Sequence, residues 1–178
     1  MYRLSDNRYE EIKSTVVDIF IQYGITSMPI SAFDLAHKMG IDLIPYSSYP
    51  ESIQLLFLKK SEDGFVFINK GNYAIYYNSQ KKLERIQNTI MHEIGHIILG
   101  HTEDSELAEA EVRFFAKYAL APPVLMEKLN VTNIIDVLLN FNVSLEAAYY
   151  AFIYYQKWCK KHGDSYTDYE LRLLAQFS

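Results

Sequence analysis

A single cysteine, Cys159, is all that the 178 residues contain. One thiol excludes an intrachain disulfide and any zinc site built on thiolates, and on a helical stretch it reads as a small apolar residue. Long apolar runs are missing as well: no segment approaches the ~18 uninterrupted apolar residues that a membrane span requires. The opening MYRLSDNRYEEIKS lacks the apolar centre of a secretory leader. No membrane association is expected, and the cytoplasm is the expected location. Basic charge is also scarce, with 17 Lys and Arg against 22 Asp and Glu, scattered except for Lys160 and Lys161. At a net charge of −5 with no basic patch, direct nucleic-acid binding is not expected. No internal repeat, low-complexity tract or linker interrupts the chain.

What is present reads as one globular unit. Apolar residues at 49% and charged residues at 22% are ordinary for a folded domain. Aromatics are in excess, with 15 Tyr and 10 Phe. They fit the rims of a helical core, with a tyrosine-rich protein-binding surface as the sharper alternative.

Periodicity divides the chain into helices, a short sheet, then helices again. Ile12, Val16, Ile19, Phe20 and Tyr23 recur at helical spacing between Tyr9 and Tyr23. In PISAFDLAHKMG, Ser31 with Asp34 resembles a capping box and Gly40 suits the position past a helix end. His37 inside this short helix reads as a structural or surface histidine. Four β-prone runs follow, at 41–46, 52–58, 64–69 and 73–78, separated in part by SEDG and NKGN, which have hairpin-turn chemistry. They predict a small, mainly antiparallel sheet in which Pro45 marks an edge or terminating strand. From 81 to 100 the period is helical again, closed by Gly100, and a second helix runs to about Ala121, where Pro122 and Pro123 end it. Shorter helices near 123–130 and 133–141, a long one opened by Ser144 and stopped at Gly163, and a last one over 168–177 complete an α+β chain.

The chemistry is concentrated in MHEIGHIILGH, residues 91–101. His92, Glu93 and His96 form H-E-x-x-H on an otherwise apolar helix. At about 100° per residue, positions 92 and 96 differ by roughly 40°, so both imidazoles leave one face at one point and can share a metal ion. Glu93, about 100° round from His92, can reach a water on that metal as a general base without being a ligand. His101 lies nearly opposite His92 if the helix continues, and reads as a cap on the helix end.

A zinc site needs a third protein ligand, and the next helix offers Glu106, Glu109 and Glu111. Glu111 shares its face with Leu107, Ala108, Phe114, Phe115, Tyr118 and Ala119, an apolar stripe. Glu109 shares its own with Ser105, Glu106, Val112, Arg113, Ala116 and Lys117, which reads mostly as solvated. A carboxylate on a core-facing stripe needs a strong partner, and a divalent metal is one. Glu111 is therefore the expected third ligand, with His92 and His96, and Zn2+ the expected cofactor, since two imidazoles and a carboxylate favour it over magnesium or calcium.

These residues resemble a known family. ERIQNTIMHEIGHIILGH, then EAEVRFFAKYALAPP, then FNVSLEAA are similar in order to the signature segments of the ImmA/IrrE family of zincin-like metallopeptidases. The resemblance implies a zincin-like core over 1–122 with a helical C-terminal extension over 123–178. It implies His92 and His96 as ligands, Glu93 as catalytic base, and Glu111 at the family's downstream glutamate. Val112 and Arg113 stand where the family usually has Ala and Asn. By the same resemblance the protein substrate is a helix-turn-helix repressor, cut by an intracellular anti-repressor protease of a mobile element. YAIYYN, residues 73–78, resembles the edge strand along which zincins align an extended peptide, so backbone pairing is expected at Tyr73–Tyr77. Two other readings share the same residues: a non-proteolytic zincin-like module that binds a transcription factor, and a toxin-like partner of an antitoxin.

Overall fold

The computed structural model of the chain describes residues 3–69, 71–103, 105–162 and 165–178. Helix α1 (Asp6–Gln22) begins where the Ser5 hydroxyl accepts from the Arg8 N–H, and its stripe of Ile12, Val16, Val17, Ile19 and Phe20 is buried. Removing a side chain the size of Phe20 from water contributes about 1.5–3 kcal/mol. Helix α2 (Ala32–Lys38) is capped by Ser31, which accepts from Asp34 N–H, and Gly40 follows at φ +71°. His37 is exposed on it.

The sheet has three strands in the order β1-β3-β2: β1 (Asp42–Pro45), β2 (Gly64–Asn69) and β3 (Asn72–Tyr77). β2 and β3 form the expected antiparallel hairpin, with Val66 opposite Ile75, while β1 runs parallel to β3, with Leu43 opposite Ile75. One of the two pairings is thus parallel, which corrects the expectation of a mainly antiparallel sheet. Pro45 does end an edge strand. The reason for the parallel pairing lies in the second β-prone run. SIQLLFL is not a strand but part of helix α3 (Glu51–Lys60), which carries the chain over the sheet between β1 and β2. Leu55 and Leu56 are more than half exposed on it, and only Ile53, Gln54 and Phe57 are half-buried. A seven-residue apolar run cannot be told from a helix by period alone. The flanks settle it, with Pro50 at the cap, and with Glu51 in the first turn and Lys59 and Lys60 in the last, three charges favourable to the helix dipole. SEDG accordingly joins a helix to a strand and is not a hairpin turn.

Aromatic rings fill the space under α3: Phe65 stacks on Tyr76 at 5.2 Å, and Phe57 meets Tyr46, Tyr49, Phe65 and Tyr76. The opposite face of the sheet rests on helix α4 (Leu83–Leu99), where Ile75, Ile90, Met91 and Ile94 are fully buried. Gly64 is needed there, because a Cβ would lie 2.7 Å from Thr89 Cγ2. Gly100 closes α4 at φ +70°. Helix α5 (Glu106–Leu120), capped by Ser105, then packs along α4.

The remaining helices are α6 (Pro123–Lys128), α7 (Ile134–Phe141), α8 (Leu145–His162) and α9 (Asp168–Gln176). Asn133 with Asp136 and Thr167 with Glu170 form full capping boxes at α7 and α9. The expected stop of α8 at Gly163 lies outside the described residues. α9 returns to pack on α1 and α6, and a continuous core runs from Leu4 to Leu173. Several tyrosines, among them Tyr9, Tyr23, Tyr73, Tyr77 and Tyr154, are half-buried against that core. Among the described residues no helix is long and apolar enough to cross a membrane.

Candidate metal and catalytic site

Helices α4 and α5 meet closely at Gly95, where a Cβ would lie 3.1 Å from Phe115 Cδ1 and 3.3 Å from Val112 Cβ. His92 and His96 flank this contact on α4, and Glu109 stands one turn before Val112 on α5. The approach brings Glu109 Oε1 to 3.3 Å from His96 Nε2 and 3.7 Å from His92 Nε2. One ligand atom from each of His92, His96 and Glu109 lies within 4.8 Å of the other two, the arrangement of a metal-binding cluster. Burial lowers the His92 pKa, reinforced by His96 and Arg113 and opposed by Glu109. A neutral ring offers a lone pair. The second oxygen of Glu109, Oε2, accepts from Arg113 Nη2 at 3.2 Å, so the guanidinium in the position of the family's Asn grips this carboxylate from outside.

Glu111 is not in the cluster, which departs from the expected ligand set. It is 6% exposed, and it has the strong partner that its burial demands, but that partner is a guanidinium. Arg8 Nε and Nη2 donate to Glu111 Oε1 and Oε2 at 2.7 and 3.0 Å, a fork-to-fork pair between α1 and α5. Arg8 holds the Glu111 carboxyl below its ordinary range against the opposing effect of burial, with help from His101. The face argument failed because Val112 and Ala116, read as part of a solvated face, are buried at 0% and 1% against α4. Glu109 is on the side of α5 that meets the motif helix, and Glu111 on the side that meets α1.

The ring of His101 is not a cap on α4 either. Its Nε2 lies 2.8 Å from Glu111 Oε2 and its Nδ1 lies 3.2 Å from His96 Nδ1, while its backbone N–H donates to the His96 carbonyl.

Glu93 is buried between α4 and the sheet, and its Oε2 accepts from Val66 N–H at 3.0 Å. Val66 is on β2. Asn78 N–H donates to the Asp63 carbonyl at 2.8 Å, so by the alternation of an antiparallel ladder Gly64, Val66 and Ile68 turn their backbone groups away from β3. The edge that β2 leaves unpaired therefore passes over Glu93. β3 is central and paired on both sides, which overturns the expectation of peptide pairing at Tyr73–Tyr77. Of the tyrosines, Tyr46 feels the charge of Glu93: burial first, then Glu93, push its hydroxyl up to about 12. That hydroxyl donates to the Ser61 carbonyl.

The model of a peptidase family described as the IrrE N-terminal-like domain matches residues 36–152. The chain belongs to this family. Membership implies proteolytic chemistry, and the matched segment holds α4 and α5 with all three residues of the cluster. Arg8 lies outside it. Among curated proteins, none matches the chain.

The sequence reading missed Glu109, Arg8 and the contacts of His101. Gly95 was a usable signal, since a glycine inside an amphipathic helix marks where another helix comes close, and the apolar Val112 and Ala116 mark the face of α5 that fits there. For Arg8, 103 residues from Glu111, no local pattern exists.

Proposed function

We propose that the chain is a zinc-dependent endopeptidase in which His92, His96 and Glu109 hold the metal and Glu93 is the general base. The convergence of Glu109 with the two histidines carries this reading. Ligand atoms set tetrahedrally about 2.1 Å from a zinc ion lie roughly 3.4 Å apart, close to the 3.3 and 3.7 Å separations of the Glu109 oxygen from the two imidazole nitrogens. Two nitrogens and one carboxylate oxygen also suit zinc better than magnesium or calcium. Bound there, zinc would supply Lewis acidity beside an open fourth position.

The remaining steps belong to this chain's own groups. Glu93 takes the proton of the water that attacks the peptide carbonyl and returns it to the leaving amine nitrogen. The Val66 N–H holds one Glu93 oxygen in place; the Gly64 N–H is taken by Ser61 Oγ, and the outward carbonyl of Gly64 with the backbone groups of Ile68 suits an extended peptide laid along β2 as an added strand. A helix-turn-helix repressor encoded beside this protein is the proposed substrate, in keeping with the family resemblance of the motif segments.

The test mixes the purified chain and zinc with that repressor, next to the Glu93→Gln variant. Discrete fragments from the unaltered chain alone support the reading. A repressor that stays intact yet co-purifies with both forms replaces it with a non-proteolytic binding module.

A further inference from the structure

The contacts behind His96 have a direction. His96 turns Nε2 towards Glu109 and Nδ1 towards His101 Nδ1, at 3.2 Å. His101 Nε2 faces Glu111 Oε2 at 2.8 Å, and both Glu111 oxygens accept from Arg8. An ionised carboxylate can only accept, so His101 Nε2 carries the hydrogen. A neutral imidazole with its hydrogen on Nε2 accepts at Nδ1, so His96 donates from Nδ1. Its Nε2 is then left with a lone pair, aimed at the cluster with His92 and Glu109. With both rings neutral, this placement satisfies the contacts behind His96 and leaves on Nε2 the lone pair that a metal shared with Glu109 would use; without a metal, Glu109 Oε1 at 3.3 Å competes for a hydrogen on that nitrogen.

We propose that Arg8, Glu111 and His101 are positioning residues, a one-way hydrogen-bond relay that holds His96 in its metal-binding tautomer and orientation. The inference rests on the reading of His96 as a metal ligand. It adds a requirement for helix α1, which supplies Arg8 from outside the segment that matches the family. Groups behind a ligating histidine fix the ring and its tautomer, and their loss costs metal affinity about 10–100-fold. The outer end of the relay opens on a recess of about 570 Å³ lined by Arg3, Leu4, Ser5, Arg8, Leu107 and Glu111. Small solutes therefore have access to Arg8.

The experiment uses the full chain in four forms: unaltered, His101→Phe, His101→Gln and Arg8→Ala. In the metal-free protein, with Glu109→Ala added to each form so that no carboxylate competes for a hydrogen on Nε2, 15N-resolved NMR of the imidazoles reports which His96 nitrogen carries the hydrogen. Competition with a chelator gives zinc affinity, and melting temperature checks the fold. With the relay intact, the His96 hydrogen should sit on Nδ1. His101→Phe should lose that preference and about 10–100-fold in zinc affinity. His101→Gln, which can accept at one end of its amide and donate at the other, should recover both. Guanidinium added to Arg8→Ala should enter the recess and restore affinity. An unchanged tautomer and affinity in His101→Phe would overturn the relay, and so would equal losses in the Phe and Gln variants. If the unaltered chain binds no zinc, the ligand reading fails, and the tautomer comparison still decides the relay.

Discussion

Glu111 and Glu170 are both carboxylates in the protein interior, 6% and 4% exposed, and each accepts several hydrogen bonds, yet they serve different ends. Glu111 receives Arg8 from one side and His101 from the other, and its network continues through His96 to the metal cluster. Glu170 receives Trp158 Nε1 at 2.7 Å and the Thr167 N–H and hydroxyl at 2.8 and 2.9 Å. Its bonds knit α8 to the start of α9, and the indole that it holds stacks with Tyr155 and Tyr166. Both obey the rule that a buried charge must be partnered. What separates them is where the partners lead: one network ends at a lone pair, the other closes on itself and locks helices together.

The widest gap between the two regions should come from deleting ligands. Glu109→Ala should weaken zinc binding by more than the roughly 10–100-fold expected when a group behind a ligand is lost, as Glu111→Ala would show. A chelator competition that ranks Glu111→Ala as the more damaging of the two would restore the ligand set read from the sequence. Next in size, Glu170→Ala leaves the indole N–H and the Thr167 groups without their acceptor, and should cost about 2–3 kcal/mol of stability. Denaturant melts should show this while zinc affinity stays as it was; a parallel fall in affinity would mean that the regions are coupled.

A smaller effect sharpens the contrast within the site. In Gly95→Ala, about 1 kcal/mol of helix propensity opposes crowding against Phe115 and Val112, so net stability should move little. Glu109 is one turn from Val112, however, and zinc affinity should drop several-fold as α5 is pushed off α4. Equal affinity in the two forms would show that the crossing does not set the position of Glu109.

The smallest effect belongs to Glu10, which joins α1 to α9 through Tyr169 and also pairs with Lys13. Burial raises its pKa, but the bonds from Lys13 and Tyr169 outweigh it, and the net shift is downward. A carboxylate depressed on folding stabilises the protein above its unfolded pKa, and that contribution disappears as pH falls through the folded value. Acid melts of Glu10→Gln should therefore be flatter below the ordinary glutamate range and leave zinc affinity at neutral pH unaltered. An identical acid limb in both forms would remove Glu10 from the ties between α1 and α9.

Local chemistry alone determined much of this protein. The helical phase that puts His92 and His96 on one face, the cap at Ser31, the end at Gly100 and the β2–β3 hairpin all follow from dihedral preferences and bonds made within a few residues. Helix α3 shows the limit of such reading, since its apolar run fits either period and only its charged flanks separate the two. Tertiary structure alone decided which of three glutamates meets the histidines, that β2 and not β3 carries the free edge, and that Arg8 answers Glu111 across 103 residues. Periodicity is a property of one segment, whereas these choices depend on how two segments cross, and a crossing is set by the shapes of both surfaces at once.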